Sequence, residues 1–102
     1  MVEADETVLL YYQYCEIVEC EDACEQQRQL CESLGLRGRI RVAREGLNGT
    51  LAGHTNAIKQ YIAAMEADAR FRGCDWKCSP CGAGGSEAAF PEGLQVTNNS
   101  ER

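Results

Sequence analysis

The sequence predicts a single α+β domain of the order β-α-β-β-α-β, with an antiparallel sheet that carries two helices on one face. Two segments with the apolar spacing of helices alternate with segments rich in β-branched and aromatic residues, as strands are. Between the helices, two strands follow each other closely enough to form a hairpin. The length of 102 residues is that of one domain, so a second full domain is excluded.

The first part of the chain predicts a strand followed by a helix. Residues 8–17 are dense in aromatic and β-branched side chains and contain neither glycine nor proline, which favours a strand. Residues 21–34 have the apolar spacing of a helix. Glu21 and Asp22 stand where the helix dipole favours acids, and Gly35 is placed to end the helix.

The middle of the chain predicts a hairpin. Residues 38–44 alternate between aliphatic side chains and arginines, which is the pattern of a half-buried strand. A turn at Glu45-Gly46 then leads into a short strand around 48–52. Asn48-Gly49 is an alternative position for the reversal, because this dipeptide is common in two-residue hairpin loops.

The last part of the chain predicts a second helix and two further strands. Thr55 or Asn56 caps the helix, whose apolar residues recur at i, i+3, i+4 and i+7. A fourth strand is expected at about 74–79, and an edge strand near 94–96. The segment 81–89 is rich in glycine and alanine and is expected to be loose.

This order of elements predicts a ferredoxin-like sandwich, in which two helices cover one face of the sheet and the other face stays open. The predicted domain spans residues 8–97. It is preceded by a flexible N-terminus over residues 1–7 and followed by a tail over residues 98–102.

The charge distribution excludes several classes of protein. A formal net charge of −6 argues against a free-standing binder of polyanions. No apolar run approaches the ~20 residues of a membrane span. The acidic N-terminus does not resemble a secretory signal, so a cytoplasmic location is predicted. Residues 1–32 carry nine acids and one base, whereas residues 33–77 carry eight bases and four acids, which predicts one basic side.

The seven cysteines predict reduced thiols, because an odd number cannot pair within one chain and no export signal accompanies them. Cys31-x5-Arg37 has the spacing of an anion-binding catalytic loop. Cys31, however, falls in the last turn of a helix, where the dipole raises a thiol pKa. No catalytic residue and no metal site is therefore predicted. Cys74, Cys78 and Cys81, with a fourth ligand from Cys20, Cys24 or His54, stay an alternative zinc site.

The arginines of the middle segment are the most informative residues. Arg37, Arg39 and Arg41 project from one strand face at a spacing of two, and Arg44 follows them. Tyrosines of the first strand, Tyr12 and Tyr14 or alternatively Tyr11, can join them on the open face. Arginine interleaved with tyrosine on an open sheet is typical of RNA-binding domains. The alternative is an ordinary solvated face.

Several segments resemble one protein family. These are GRIRVAREGLNGT at 38–50, the D-x-R-F sequence at 68–71 and Ala89-Phe90-Pro91. They resemble the N-terminal acylphosphatase-like domain of the oxygen-dependent tRNA uridine hydroxylases, which are rhodanese-domain proteins. The resemblance covers about residues 8–96 and implies an acylphosphatase-like form of the ferredoxin-like fold. It also implies that the parent protein hydroxylates the wobble uridine of tRNA.

The resemblance further implies that this domain is not itself an enzyme and uses no cofactor. The catalytic cysteine of the family lies in the rhodanese domain and matches no position here. Acylphosphatase activity is not expected either, because the segment after the first strand is acidic and lacks the required glycine and arginine.

The predicted role is that of a monomeric accessory domain that helps bind tRNA beside a rhodanese domain. Asn48 and Gly49 are predicted chiefly as turn residues. The alternative role is docking onto the rhodanese domain without contact to RNA. The predicted RNA-binding residues are Arg37, Arg39, Arg41, Arg44 and Asn48.

Overall fold

The structure, a computed structural model, describes residues 5–100 of the chain. The predicted N-terminus and tail therefore lie partly outside the described residues. Within this range the chain forms five strands and three helices. In chain order these are β1 (Glu6–Tyr14), α1 (Cys20–Ser33), β2 (Arg37–Ala43), β3 (Gly46–His54), α2 (Thr55–Glu66), β4 (Lys77–Pro80), α3 (Gly85–Ala89) and β5 (Leu94–Asn98).

The sheet has the strand order β4-β1-β3-β2-β5. β1 pairs antiparallel with β3 and β4, and β2 pairs antiparallel with β3. β5 runs parallel to β2 at the far edge, so the sheet is mixed and not wholly antiparallel as predicted. After β4, at one edge of the sheet, the chain crosses to the opposite edge. There β5 pairs with β2 and runs in the same direction as β2. The predicted α+β class is confirmed.

The core lies between one face of the sheet and helices α1 and α2. Leu9, Ile40 and Leu51 of three adjacent strands are fully buried, and Ile58 of α2 is buried with them. Burial of each such side chain contributes about 1.5–3 kcal/mol to stability. The alternation of strand side chains leaves the opposite face of the same strands free of α1 and α2. No helix within residues 5–100 combines the length and apolar character that crossing a bilayer requires.

The two predicted helices are confirmed. α1 is displaced by one residue from the predicted range of 21–34, and α2 begins at Thr55 directly after His54. His54 therefore lies exposed at the entrance of a helix. The buried residues of α1 and α2 recur at helical spacing, which is why the sequence pattern located them.

The prediction for the β2–β3 reversal was wrong by one residue. The chain turns at Arg44 and Glu45, and Asn48-Gly49 lies inside β3. Gly46 lies so close to β1 that a Cβ atom on it would stand 2.0 Å from the Gln13 carbonyl oxygen. Gly49 is needed for a different reason, because a Cβ atom there would stand 2.9 Å from the Tyr11 ring. These glycines permit close packing, and neither forms the turn.

The predictions for the segment after α2 also need correction. β4 begins at Lys77 and not at 74, so Cys74 and Trp76 lie in the preceding loop. The segment 81–89 is not loose, since it contains α3. α3 contacts β1, β2 and β3. The Glu6 carboxylate holds it by accepting hydrogen bonds from the Ser86 backbone N–H at 2.6 Å and from Ser86 Oγ at 3.2 Å.

α3 packs on the sheet face opposite α1 and α2, so the helices are not all on one face. Glu6 alternates with the buried Thr7 and Leu9 and therefore points away from the core. Ala52 also points away from the core, yet it is fully buried. α3 therefore covers one end of this face, and the rest of it stays exposed.

Candidate nucleic-acid interface

The part of this face that α3 does not cover is called the open face. Strand pairing sets its side chains in three rows that run across the sheet. The rows are Lys77, Leu10, Thr50, Arg39 and Gln95; Tyr12, Asn48, Arg41 and Thr97; and Tyr14, Gly46 and Ala43.

The apolar part of the open face comes from β1. Leu10, Tyr12 and Tyr14 are 52%, 62% and 76% exposed, although large apolar side chains usually avoid water. The rings of Tyr12 and Tyr14 pack edge to face with centroids 5.4 Å apart. Tyr11 points to the core, where its hydroxyl hydrogen-bonds that of Tyr61. Tyr12 and Tyr14, and not Tyr11, therefore share the face of the arginines.

The cationic part of the open face comes from β2. Arg39 and Arg41 are exposed, and Arg44 is exposed in the adjoining turn. Within residues 5–100, no carboxylate or carbonyl group pairs with the side chains of these three arginines. Lys77 differs, because Asp75 lies 2.9 Å from its ammonium group. Three guanidinium groups are thus available to an anion on or beside this face.

Arg37 differs from the other predicted arginines. It lies in the row that α3 covers, and its Nη1 donates a hydrogen bond to the Phe90 carbonyl oxygen at 2.9 Å. Its Nη2 lies 3.6 Å from the Glu87 carboxylate. The side chain of Arg37 therefore fastens α3 to the sheet. Sequence periodicity placed it on the correct face but held no information about the helix that covers it.

A depression of about 580 Å³ lies on the open face. Asn48, which is exposed in the middle of β3, lines it between Tyr12 and Arg41. Ala43 and Gly46 form its floor, and these were not among the predicted site residues. The alternation of Leu10, Tyr12 and Tyr14 is the sequence signal that locates this side of the sheet.

The cysteines do not form a common site. Cys31 is fully buried, and burial raises the pKa of its thiol to about 12. Cys74 is buried and donates from Sγ to the Tyr12 carbonyl oxygen at 3.4 Å. Cys78 and Cys81 lie three residues apart along an extended segment, so their side chains face opposite ways. Between residues 5 and 100, no three His, Cys, Asp or Glu side chains converge as metal ligands.

Two of the motifs that carry the family resemblance hold loops in place. The Asp68 carboxylate accepts hydrogen bonds from the Arg70 backbone N–H at 3.0 Å and from Arg70 Nη2 at 2.8 Å. This contact lowers the pKa of Asp68. Phe71 is buried, with the Arg70 guanidinium 4.9 Å from its ring centroid. Phe90 supplies the carbonyl oxygen that binds Arg37. Both motifs therefore make contacts that stabilise the fold.

Comparison with known protein families identifies the chain. The model of the UPF0176 acylphosphatase-like domain matches residues 6–98. The chain belongs to this family. The resemblance inferred from the sequence is therefore confirmed, and the match accounts for nearly all of the described residues of this UPF0176 domain.

Two curated relatives bear the name tRNA uridine(34) hydroxylase. The one from Enterococcus faecalis is 45% identical over 73 residues, which are 72% of this chain and 23% of the relative. The one from Corynebacterium diphtheriae is 40% identical over 80 residues, which are 78% of this chain and 26% of the relative. The UPF0176 domain thus spans about a quarter of the length of the relatives it matches. The match lies in their N-terminal part.

Solved structures provide an independent comparison of the fold. The dark-state structure of the BLUF protein BlrB is similar, with a TM-score of 0.70 and 16% sequence identity. The similarity covers 95% of the UPF0176 domain and 75% of BlrB. At this level of identity the likeness concerns the fold alone.

Proposed function

We propose that this chain is the non-catalytic N-terminal accessory domain of a cytoplasmic tRNA uridine hydroxylase, and that it binds tRNA through its open face. Its fold consists of a ferredoxin-like core, formed by β1 to β4 with α1 and α2, to which α3 and β5 are added. The observation that carries the proposal is the set of guanidinium groups of Arg39, Arg41 and Arg44, which pair with no group among residues 5–100, beside exposed tyrosine rings.

The charge of the open face suits a polyanion although the whole chain is acidic. Arginine side chains bind phosphate oxygens, and their release of counterions supplies much of the affinity for nucleic acid. The acids of α1, among them Glu21, Asp22 and Glu25, lie on the helix that covers the opposite side of the sheet. These acids therefore repel RNA from the helical side and leave the open face as the favourable approach.

The buried position of the three groups with the largest pKa shifts supports a non-catalytic role. The thiol of Cys31 and the hydroxyls of Tyr11 and Tyr61 have raised pKa values because they are buried in the core. The thiol and both hydroxyls lie on the core side of the sheet and not on the open face. We therefore assign the hydroxylation chemistry of the parent protein to its rhodanese domain.

The position of β5 favours cooperation with a following domain. β5 ends at Asn98, and Asn99 lines the depression on the open face. In relatives whose chain continues after the matched part, the next domain therefore begins beside the proposed RNA site. RNA held by Arg41 would then lie close to the rhodanese domain. We propose that the domain acts in this way as a monomer within its parent protein.

A tRNA titration at two salt concentrations tests the proposal. We expect the double variant Arg39→Ala/Arg41→Ala to weaken binding at least about tenfold and to reduce its salt dependence by about one unit per lost phosphate contact. The matched control is Arg28→Ala/Lys59→Ala, which removes the same charge from the two helices that cover the core. Equal losses in both variants, or none in either, would contradict an open-face site.

A second function, docking onto the rhodanese domain without RNA contact, is favoured by one specific observation. Leu10, Tyr12 and Tyr14 form an exposed apolar patch, and such patches are common at protein interfaces. This function predicts no tRNA binding even at low salt. It also predicts that the separate rhodanese domain of the parent protein binds this chain and that Tyr12→Ala weakens the complex.

A further inference from the structure

We infer that the depression beside Tyr14 holds one unstacked nucleobase, so that the open face prefers single-stranded or looped RNA to a duplex. This inference rests on the proposed RNA-binding function and adds the class of RNA that is bound. It concerns a base contact, whereas the tRNA titration that tests the proposed function measures phosphate contacts.

The floor of the depression leaves room for a flat ring. Tyr14 pairs with Gly46, which in turn pairs with Ala43 on the next strand. Neighbouring strands are about 4.8 Å apart. Across the strands from Tyr14, about 10 Å of the sheet surface therefore carries only the methyl group of Ala43. The glycine cannot be replaced by a larger residue, because a Cβ atom would stand 2.0 Å from the Gln13 carbonyl oxygen.

The wall of the depression is aromatic. Tyr14 is 76% exposed and contacts Tyr12 edge to face, an arrangement that leaves ring surface accessible from solvent. A nucleobase stacked on an aromatic side chain gains about 1–3 kcal/mol, whichever of the four bases it is. An exposed tyrosine beside an empty floor is therefore suited to a base that has left its own stack.

The rim of the depression distinguishes a base from a phosphate group. The amides of Asn48 and Asn99 each offer donors and an acceptor, as the edge of a base does. The Glu45 carboxylate also lines the rim and disfavours a phosphate inside the depression, whereas the charges of Asp75 and Lys77 offset each other in an ion pair of 2.9 Å. Arg41, at the same rim, is placed to bind the phosphate of the nucleotide whose base enters.

Two fluorescent oligonucleotides separate base contacts from phosphate contacts. One is an oligouridylate about ten nucleotides long, and the other is an abasic ribose-phosphate chain of the same length and charge. The full chain should bind the oligouridylate at least about fivefold more tightly than the abasic chain, which corresponds to about 1 kcal/mol.

Two variants locate the base. Tyr14→Ala removes the aromatic wall, and Ala43→Leu fills the floor without changing any charge, so each should abolish the preference for the oligouridylate. Tyr14→Phe should keep the preference. The matched control is Gln95→Leu, which adds an apolar side chain to the same face two rows away. The two variants act by unrelated changes, so failure of one to fold leaves the other as the test.

The outcomes distinguish this inference from the proposed function. Equal binding of the two oligonucleotides by the unchanged chain would overturn the base site and leave the phosphate-binding function standing. A preference that survives both Tyr14→Ala and Ala43→Leu would also overturn it, because the base would then bind elsewhere. Binding of neither oligonucleotide, even at low salt, would overturn the proposed function and this inference together.

Discussion

At the scale of single residues, the core contains a buried network of polar groups. The Tyr61 hydroxyl donates to Gln27 Oε1 at 2.6 Å and hydrogen-bonds the Tyr11 hydroxyl. Gln27 Nε2 lies 3.1 Å from Met65 Sδ. The network joins β1, α1 and α2, so it fixes the two helices relative to the sheet. Within residues 5–100, no buried side-chain nitrogen or oxygen lacks a partner. Buried polar groups without partners are costly, which explains this complete pairing.

Cys31, buried beside this network, makes stability depend on alkaline pH. Its pKa rises on folding from 9.0 to about 12, because burial disfavours the thiolate. The neutral thiol therefore makes its full contribution to the free energy of unfolding below pH 9. This contribution is lost as pH rises toward 12, by at most about 1.4 kcal/mol per pH unit. We expect Cys31→Ala to unfold with a shallower decline over this range than the unchanged chain.

Urea denaturation at several pH values between 7 and 11 measures this decline. The control is Cys78→Ala, since Cys78 is exposed. Tyr11 and Tyr61 also have pKa values raised by burial, so both chains should still lose stability at the upper end of the range. Parallel curves for Cys31→Ala and the unchanged chain would contradict the prediction, because they would show that the Cys31 thiol has the same pKa in the folded and the unfolded state.

At the scale of elements, the short helix α3 divides one sheet face into a covered and an exposed part. It is only five residues long, so its own hydrogen bonds cannot sustain it in isolation. The contacts from Glu6 and Arg37 hold it against the strands. The open face therefore depends on α3 for its boundary, although α3 contributes no residue to the depression.

The boundary that α3 sets on this sheet face predicts opposite effects of Arg37 and Arg39 on stability and on RNA affinity. Arg37→Ala should lower the free energy of unfolding by about 1–2 kcal/mol, because α3 loses its ion pair through Glu87 and the Phe90 carbonyl keeps only the Gly93 backbone N–H as a donor. It should leave RNA affinity within about twofold. Arg39→Ala should leave stability almost unchanged and should weaken RNA binding. Denaturant unfolding and the tRNA titration measure the two quantities. Loss of RNA affinity in a folded Arg37→Ala chain would place that side chain in the RNA site.

At the scale of the whole molecule, the segregation of charge determines the expected strength of RNA binding. The net charge of −6 is carried largely by the first third of the sequence, whereas the open face presents arginines. The acids of α1 lie on the helical side, and the arginines of β2 lie on the open face. Few cations face the RNA, so its affinity should depend on salt less steeply than that of a strongly basic protein.

The salt dependence can be stated as a number. If Arg39, Arg41 and Arg44 each contact one phosphate of a single strand, the logarithm of the association constant should fall with the logarithm of salt concentration with a slope of about −2. Fluorescence anisotropy with an oligouridylate at four or more salt concentrations gives this slope. A slope near zero would rule out phosphate contacts, and one beyond about −5 would require cations outside the open face.

Much of the fold was predictable because its signals are local. Ile40 and Val42 alternate with arginines along β2, and the apolar residues of α2 recur at helical spacing, so both elements were predicted to within a few residues. Asn48-Gly49 was misjudged because a dipeptide that favours turns also fits a strand where a neighbouring ring needs space. Here Tyr11 is that neighbour, and no local pattern reveals it.

The sequence by itself determined which residues share a face of the sheet, because side chains alternate along a strand whatever its surroundings. It thereby placed Arg39 with Arg41 and Tyr12 with Tyr14, but it left open whether these tyrosines or Tyr11 share the face of the arginines. Only the tertiary structure decided which part of that face is exposed. Ser86 meets Glu6 across 80 residues of chain, and α3 then covers Arg37 but leaves Arg41 free. Contacts between segments so distant in sequence depend on how the whole chain packs. The periodicity of side chains within one segment therefore cannot predict them.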